Sequence, residues 1–480
     1  MRAIAIACIP CRSHEQKLSC SCSECTGSYI SSKQSSCRLT AYCESKGWHR
    51  IYDKTREDYT LKWCETKSVL TYYNFREGEQ LLYQIPNNKV LTTKIGLLNS
   101  LRDYEKASRT AHPGSGTSSE LINCIETESN ICNDCWLCPL KHCRRLKMED
   151  FFPTTFRMDI KDERDAFFSY VEGLGSAEPS PWICKPTGLN QGRGIFLLRT
   201  KEDIKVFQAR LESTNDNQGP RKLLTRQPQA RIVQRYIQNP LLLKGRKFDV
   251  RSFFLIACTT PYMVFFRHGY VRLTCDLYDP KSNNLAAHLT NQYMQKKNPL
   301  YSVVKEDTVW SMERLNTHLN QELSRAKGLP LDWVFGPFTR RMQHVVLQCF
   351  QAVKSKLERK LGYFDLIGCD FMIDEDFKVW LLEMNCNPAL HVNCQVLKDV
   401  VPAVVCETLG ECCHIVSVTQ CQSLSLEAFV NSSITGTVHS KLGSYVWSPV
   451  SVPLTVVKHT HPLTVWRNLF NSVQCKSKQI

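Results

Sequence analysis

The stretch Leu366–Pro388, LIGCDFMIDEDFKVWLLEMNCNP, constrains this chain more than any other. Two apolar runs rich in β-formers, GCDFMID and KVWLLEMN, flank the charged tetrapeptide Glu375-Asp376-Phe377-Lys378, the pattern of a short antiparallel hairpin. A loop of two or four residues sets Asp370 opposite Glu383. Cross-strand partners stand about 4.5–5.5 Å apart at Cβ, where like charges repel. A bound cation reverses that sign. Asn385 lies two residues beyond Glu383 and shares its face, so two carboxylates and an amide oxygen converge, a hard-oxygen set suited to Mg²⁺ shared with nucleotide phosphates. The opposite face, Trp380, Leu382 and Met384, is free to enter the core. An edge hairpin with solvated acids is the alternative, and the apolar surroundings with the Asn385-Cys386-Asn387-Pro388 ending weigh against it.

Upstream of the hairpin, Pro181-Trp182-Ile183-Cys184-Lys185-Pro186 reads as a strand ended by proline, with Lys185 on the face opposite Cys184. A lysine on a strand facing a cleft neutralises phosphates; a solvated edge lysine is the bland reading. Five residues on, Asn190-Gln191-Gly192-Arg193-Gly194-Ile195 is a glycine turn whose backbone N–H groups can approach a phosphate. Ordinary hairpins use the same residues, and the chain has neither a Walker loop nor a strand–GxGxxG–helix unit. Ile232-Val233-Gln234-Arg235-Tyr236-Ile237 is a short strand able to offer a base backbone hydrogen bonds and an apolar wall. In Gly245–Phe253, period-two alternation puts Lys247, Asp249 and Arg251 on one face. Three charges on one strand face are costly to bury unless they serve a ligand or one another, and the apolar run that follows argues for a central strand rather than an exposed ladder. A further strand, YMVFFRHGYVRLT, carries Arg267 and Arg272, and HLTNQYMQKK brings Thr290 and Asn291.

Packing accounts for most of what remains. Leu91, Ile95, Leu98, Leu101 and Tyr104 fall at helical spacing, and Met342, Val345, Val346, Cys349, Val353, Leu357 and Leu361 make one stripe of a long helix from Phe338 to Leu361. Many of the 25 cysteines sit in apolar segments, as at Cys184, Cys258, Cys349 and Cys369, where a reduced thiol acts as a small hydrophobe. Seven lie irregularly in residues 1–45, where a zinc knot is conceivable but the spacing and the lack of paired His favour a disordered leader. The run Cys132-x2-Cys135-x2-Cys138-x4-Cys143, beside Lys141, Arg144, Arg145 and Lys147, has a last gap unlike the iron–sulfur pattern and is as compatible with a buried turn as with a metal. No run of 18 apolar residues is present, and the opening MRAIAIACIPC is a poor signal peptide, so a cytoplasmic protein without a membrane segment is expected. The formal charge of +15 points to polyanionic partners. Nucleic acid is disfavoured because no RNA-binding aromatic motif or zinc-finger His pair accompanies the charge.

Taken in order, WICKP, NQGRGI, VQRYIQNPLLL, GRKFDVR, HLTN and DFMID with LLEMNCNP resemble the tubulin-tyrosine-ligase-like family of ATP-grasp ligases across roughly residues 46–415. KVLTTKIGLLNSLRDYE and FFPTTFRMDIKDE resemble its polyglycylase branch more than the tyrosine ligase. The resemblance implies an α/β (α+β) ATP-grasp fold, with nucleotide between two mixed lobes. The expected divisions are an N-terminal domain and linker (46–150), a central lobe (151–240) and a C-terminal lobe with the Mg²⁺ site (241–415), flanked by segments outside the resemblance whose composition reads as a Cys-rich disordered leader (1–45) and a poorly ordered tail (416–480). It further implies that Lys185 and Gln191, Gly192, Arg193 and Gly194 hold ATP phosphates and that Gln234, Tyr236 and Ile237 line the adenine pocket. Lys247 and Asp249 contact nucleotide, Thr290 and Asn291 lie near its ribose and phosphates, and Asp370, Glu383 and Asn385 bind Mg²⁺. Arg251 sits near the transferred phosphoryl group and Arg267 engages the incoming amino acid or acyl intermediate.

The activity so implied is ATP-dependent attachment of glycine to glutamate side chains, or to glycine chains already there, on acidic tails such as those of tubulin or nucleosome assembly proteins. The resemblance implies a monomer working at the cytoskeleton, including the cilium axoneme. Polyglutamylation with the same ATP machinery is the rival within the class, and an inactive binder of acidic tails or microtubules is the rival outside it.

Overall fold

In RKFDVRSFFLIACT, Arg246–Thr259, every residue after the first is buried. A strand buried on both faces must be central, and the computed structural model places it there. The structure describes residues 5–10, 33–53, 56–64, 68–110, 145–175, 180–216, 230–434 and 467–471. The Cys132–Cys143 run and the linker before it lie outside the described residues.

The first strands are β1 (Ala5–Pro10), β2 (Trp48–Ile51), β3 (Leu61–Cys64) and β4 (Leu81–Tyr83). Then come β5 (Thr155–Arg157), β6 (Trp182–Pro186), β7 (Phe196–Leu198) and β8 (Arg231–Arg235). The last are β9 (Leu242–Leu243), β10 (Arg246–Thr259), β11 (Tyr262–Leu273), β12 (Val309–Ser311), β13 (Tyr363–Ile373), β14 (Val379–Cys386) and β15 (Arg467–Asn471). The larger sheet runs β12-β11-β10-β13-β4-β3-β1-β2, with β14 also on β13, β15 on β11 and β9 on β10. The smaller sheet runs β5-β8-β6-β7.

Alternation along β10 and β13 gives the larger sheet two dry faces. Val250, Phe254, Ile256, Ile367, Cys369 and Phe371 pack on one side against the helix Thr339–Val353. In that helix Met342, Val345, Val346, Cys349, Phe350 and Val353 recur at helical spacing with no exposure. It ends at Val353 rather than Leu361, although Leu357 remains buried. On the other side Phe253, Leu255, Ala257 and Leu366 meet the helix Gln395–Ile434 through Leu397, Val401, Val404, Val405, Leu409 and Cys412. Its segment Gln395–Ser417 is long and apolar enough, among the described residues, to cross a membrane by length and composition. Here that apolar surface covers the sheet, each fully buried side chain contributing about 1.5–3 kcal/mol.

Several expected boundaries change. The apolar run at the start is not an unstructured leader throughout: β1 pairs antiparallel with β2 and β3, and Lys33–Ser45 is helical. Residues 46–110 do not form a separate domain, because β4 pairs parallel with β13 and carries β1–β3 into the same sheet. The tail is not wholly loose either. The long helix continues to Ile434, and β15 takes up the edge of β11 over Met263–Phe266, where ladder hydrogen bonds are otherwise unpaired.

The hairpin closes differently from the two- or four-residue loop. Asp374–Lys378 separate the strands, with Asp374 N–H donating to the Lys378 carbonyl (3.1 Å). That odd loop pairs Phe371 with Leu381, one residue out of the expected register. A bulge at Leu382 restores it, so Asp370 does stand opposite Glu383. The bulge also alters which residues face the core: Val379, Leu381 and Met384 are buried, while Leu382 turns toward the cleft beside Glu383.

Candidate active site

The two sheets face each other across a cleft of about 810 Å³, open mouth included. One wall is the inner face of the small sheet. Trp182 and Cys184 point into its helix-covered core, so alternation delivers Ile183 and Lys185 to the cleft. β6 lies between β8 and β7, which excludes a solvated edge position for Lys185. Its Nζ donates to Gln234 Oε1 (2.7 Å), and Gln234 is fixed in turn by donating to Thr155 Oγ1 (2.9 Å). Tyr236 and Ile237 extend this wall.

The opposite wall is charged. Lys247 and Asp249 reach the cleft from β10, Asp370 and Met372 from β13, and Leu382 and Glu383 from β14. Lys247 Nζ donates to the Tyr236 hydroxyl (2.8 Å), which meets His288 Nδ1 (2.8 Å). Asp249 is held by Arg272 through Nε (2.7 Å) and Nη2 (2.5 Å) and accepts from the Thr290 hydroxyl (2.6 Å). Asp370 accepts from Arg251 Nε (2.5 Å) and Nη2 (3.0 Å), and its Oδ2 is also 3.0 Å from Arg272 Nη2. Gly368 makes room for this: a Cβ there would lie 3.0 Å from Arg251 Nη1. Burial alone would raise the Asp370 carboxyl, but Arg251 and Arg272 outweigh it and hold it down at about 2.

The mouth is closed by the loop Leu189–Gly192 and by His288–Asn291. Gln191 and Gly192 adopt positive φ (66° and 76°), as does Gly194 (69°). A Cβ on Gly192 would come within 3.2 Å of Asn291 Oδ1, so the glycine lets the loop close on Asn291. Arg193 is exposed, with its guanidinium over the Tyr293 ring at 5.6 Å.

Asn385 lies beside the acids, its Nδ2 3.1 Å from Glu383 Oε1 and 3.4 Å from Asp370 Oδ2. These three fit a hard divalent cation. Two oxygen-bearing carboxylates flank an amide whose N and O are interchangeable by a flip, and among the described residues Glu383, unlike Asp370, has no guanidinium on it. Among the described residues no third His, Cys, Asp or Glu completes an all-protein cage, which suits a cation that takes its other oxygens from a phosphate.

Arg267 does not join the group. Its guanidinium is paired with Glu407 on the helix Gln395–Ile434 (Nε to Oε2, 2.9 Å; Nη2 to Oε1, 3.1 Å) and does not line the cleft. Arg251 reaches the site only through Asp370. Three contributors carry no role assigned from sequence. Arg272 stands opposite Asp249 in the β10–β11 register, so pairing the two charged strands would have found it. His288 lies inside the HLTN segment. Lys94, within 3.8 Å of Glu383 Oε2 and donating to the Leu189 carbonyl (3.3 Å), gave no signal. The expected single helix through Leu91 and Leu101 is broken at Thr93, whose hydroxyl accepts from Gly96 N–H (3.0 Å) and caps the second helix at Lys94.

The cleft thus holds amines on facing walls and carboxylates beside them, an arrangement suited to a polyanion with a divalent cation. Burial pushes Lys185 down to about 8, and burial with the neighbouring Lys185 pushes Lys247 down to about 7. A phosphate beside them favours the charged forms, so anion binding at about pH 8 takes up protons, and the uptake fades below about pH 6, where both amines are already charged. Calorimetry of ATP binding in buffers of different ionisation enthalpy measures this; binding without uptake at the higher pH would show that these amines do not meet the phosphates.

Comparison with known proteins gives the family. The model of the tubulin-tyrosine ligase family matches residues 75–422. The chain is 58% identical over 383 residues to a protein polyglycylase TTLL10 of Macaca fascicularis, covering 79% of this chain and 61% of the relative. It is 56% identical over 383 residues to the inactive polyglycylase TTLL10 of Homo sapiens, covering 79% and 56%. A probable alpha-tubulin polyglutamylase Ttll1 of Tetrahymena thermophila is 27% identical over 377 residues, covering 76% and 80%. The chain therefore spans only about three fifths of the length of the polyglycylase relatives. The matched region contains both cleft walls and the carboxylate hairpin: the chain belongs to the tubulin-tyrosine ligase family, with its polyglycylase branch as nearest kin among these three relatives.

Proposed function

We propose that this chain is an ATP-dependent ligase that adds glycine, through an amide bond, to glutamate side chains or existing glycine chains on acidic protein tails such as those of tubulin. One observation carries the reading: Lys185 on one wall faces Lys247, Asp370 and Glu383 on the other across one cleft, with Asn385 beside the two acids. In the proposed reaction a substrate carboxylate oxygen attacks the γ-phosphorus of ATP, releasing ADP and leaving an acyl phosphate. The amine of glycine then attacks the acyl carbon, phosphate departs and the amine proton is lost to solvent. Both reactants of the first step are anionic, so the barrier is largely electrostatic. Lys185 and Lys247 offset phosphate charge from opposite walls, Gln234 and Tyr236 orient the two amines, and the loop Asn190–Gly194 covers the phosphates. Glu383 and Asn385, with Asp370, would hold Mg²⁺, which supplies charge neutralisation at the phosphates. No protein nucleophile is needed.

The net charge of +15 supports an acidic partner. The amino acid donor rests on kinship alone, since polyglycylase and polyglutamylase names both occur among the relatives. Mass spectrometry of a tubulin tail peptide incubated with ATP, Mg²⁺ and an equimolar mixture of glycine and glutamate tests it. Glycine increments are expected; glutamate increments would overturn the donor, and no increment under any condition would leave a binder of acidic tails; the human relative is named an inactive polyglycylase.

A further inference from the structure

The carboxylate hairpin is braced from a segment 303 residues earlier in the chain, by a contact that the reaction scheme does not use. Gln84 directly follows β4 and is only 3% exposed. Its Nε2 donates to Asn387 Oδ1 at 2.8 Å and to the Cys64 carbonyl at 3.1 Å, while its backbone N–H donates to the Phe364 carbonyl at 3.0 Å. Gln84 and Asn387 both adopt positive φ (76° and 51°), a conformation non-glycine residues enter at a cost and keep only when their surroundings enforce it. Asn387 is the residue at which the chain leaves β14, two positions after Asn385 and four after Glu383.

The geometry points to Gln84 as a positioning residue for the cation site, acting through Asn387 to fix where β14 ends and so where Asn385 and Glu383 stand. The brace is built from two sides. The Cys64 carbonyl and the Phe364 backbone hold the glutamine at the end of β4, and β4 is tied to β13 through the Tyr363–Leu82 and Phe364–Tyr83 pairs. β13 in turn carries Asp370. One amide therefore ties the strand of Glu383 and Asn385 to the strand of Asp370, closing a ring around the site. Without it, β14 is still paired with β13 but its last turn is free to shift, and a hard cation is sensitive to shifts of a few tenths of an ångström in its ligands.

This inference rests on the proposed nucleotide and cation site, and its test separates the two. Binding of a non-hydrolysable ATP analogue is measured by calorimetry with Mg²⁺ and with EDTA, for the wild type, Gln84→Met, Asn387→Gly and the double variant. Glycine suits the positive φ of Asn387, so that variant removes the acceptor without adding backbone strain. Each single variant is expected to lose roughly tenfold in the Mg²⁺-dependent part of the affinity, with binding in EDTA unchanged. The double variant is expected to be no worse than either single one, because both remove the same contact. Additive losses, or equal losses with and without Mg²⁺, would overturn the positioning role. If Gln84→Met does not fold, Asn387→Gly alone decides: unchanged Mg²⁺ dependence rejects the inference. A wild type that shows no Mg²⁺-dependent binding fails earlier, at the proposed function itself.

Discussion

Glu383→Gln is expected to lower the proposed ligation by roughly 10²–10³-fold and to leave the melting temperature where it was. The side chain of Glu383 is 27% exposed, and its polar neighbours are Asn385 (3.1 Å) and Lys94 (3.8 Å). Glutamine keeps the shape and removes one of the two negative charges available to a cation. Lys94 loses only a partly solvated partner at long range, worth about 1 kcal/mol at most. Initial rates across a Mg²⁺ titration, beside a thermal melt, check both halves; wild-type rates at low Mg²⁺ would sink the assignment of Glu383 as a cation ligand.

Asp370→Asn has the larger effect on the fold. The Asp370 side chain is only 3% exposed and binds Arg251 through both oxygens, while sharing Arg272 with Asp249. Replacing the carboxylate leaves two buried guanidinium groups short of charge, and breaking a buried pair in this way costs about 3–5 kcal/mol. Denaturant unfolding measures it, and a loss within error of zero would show that the guanidinium groups find other partners. Acid titration gives a second signature. The folded carboxyl is depressed to about 2 from an ordinary value near 3.9, so its stabilising contribution is present above about pH 4 and is lost as the pH falls through about 2. The asparagine variant lacks that component of acid unfolding. The two acids of the hairpin are therefore unequal: Glu383 faces the open cleft, and Asp370 is as much a keystone of the charge network.

That inequality marks how far the sequence could be read. The apposition of Asp370 and Glu383 was legible because period-two alternation and two β-rich runs leave few registers. The five-residue turn and the bulge at Leu382 were not, because one local irregularity compensates the other and the end pairing is the same. Lys185, Lys247 and Asp249 were legible as alternating charges on strands too apolar to be exposed. Lys94 was hidden because it begins a helix whose apolar spacing is fully explained by packing. Arg267 was placed at the incoming substrate by resemblance, yet its partner Glu407 is 140 residues away in sequence, a pairing that no local pattern encodes. The described part of the leader and the tail misled for a related reason: short segments of weak pattern become strands when a neighbouring edge offers them hydrogen bonds.

The parallel pairing of β4 with β13 carries a consequence for how the protein is made. Leu82 and Tyr363 meet across most of the chain, and such non-local pairings are slow because loop closure must precede any gain from contact. During synthesis β4 emerges long before β13 exists, leaving one of its edges exposed until Tyr363 and Phe364 have been translated. The early strands thus wait as an open template, vulnerable to pairing with other chains. The contact from Gln84 to Asn387 closes later still, so the candidate cation site is complete only when β4 and the hairpin have found each other.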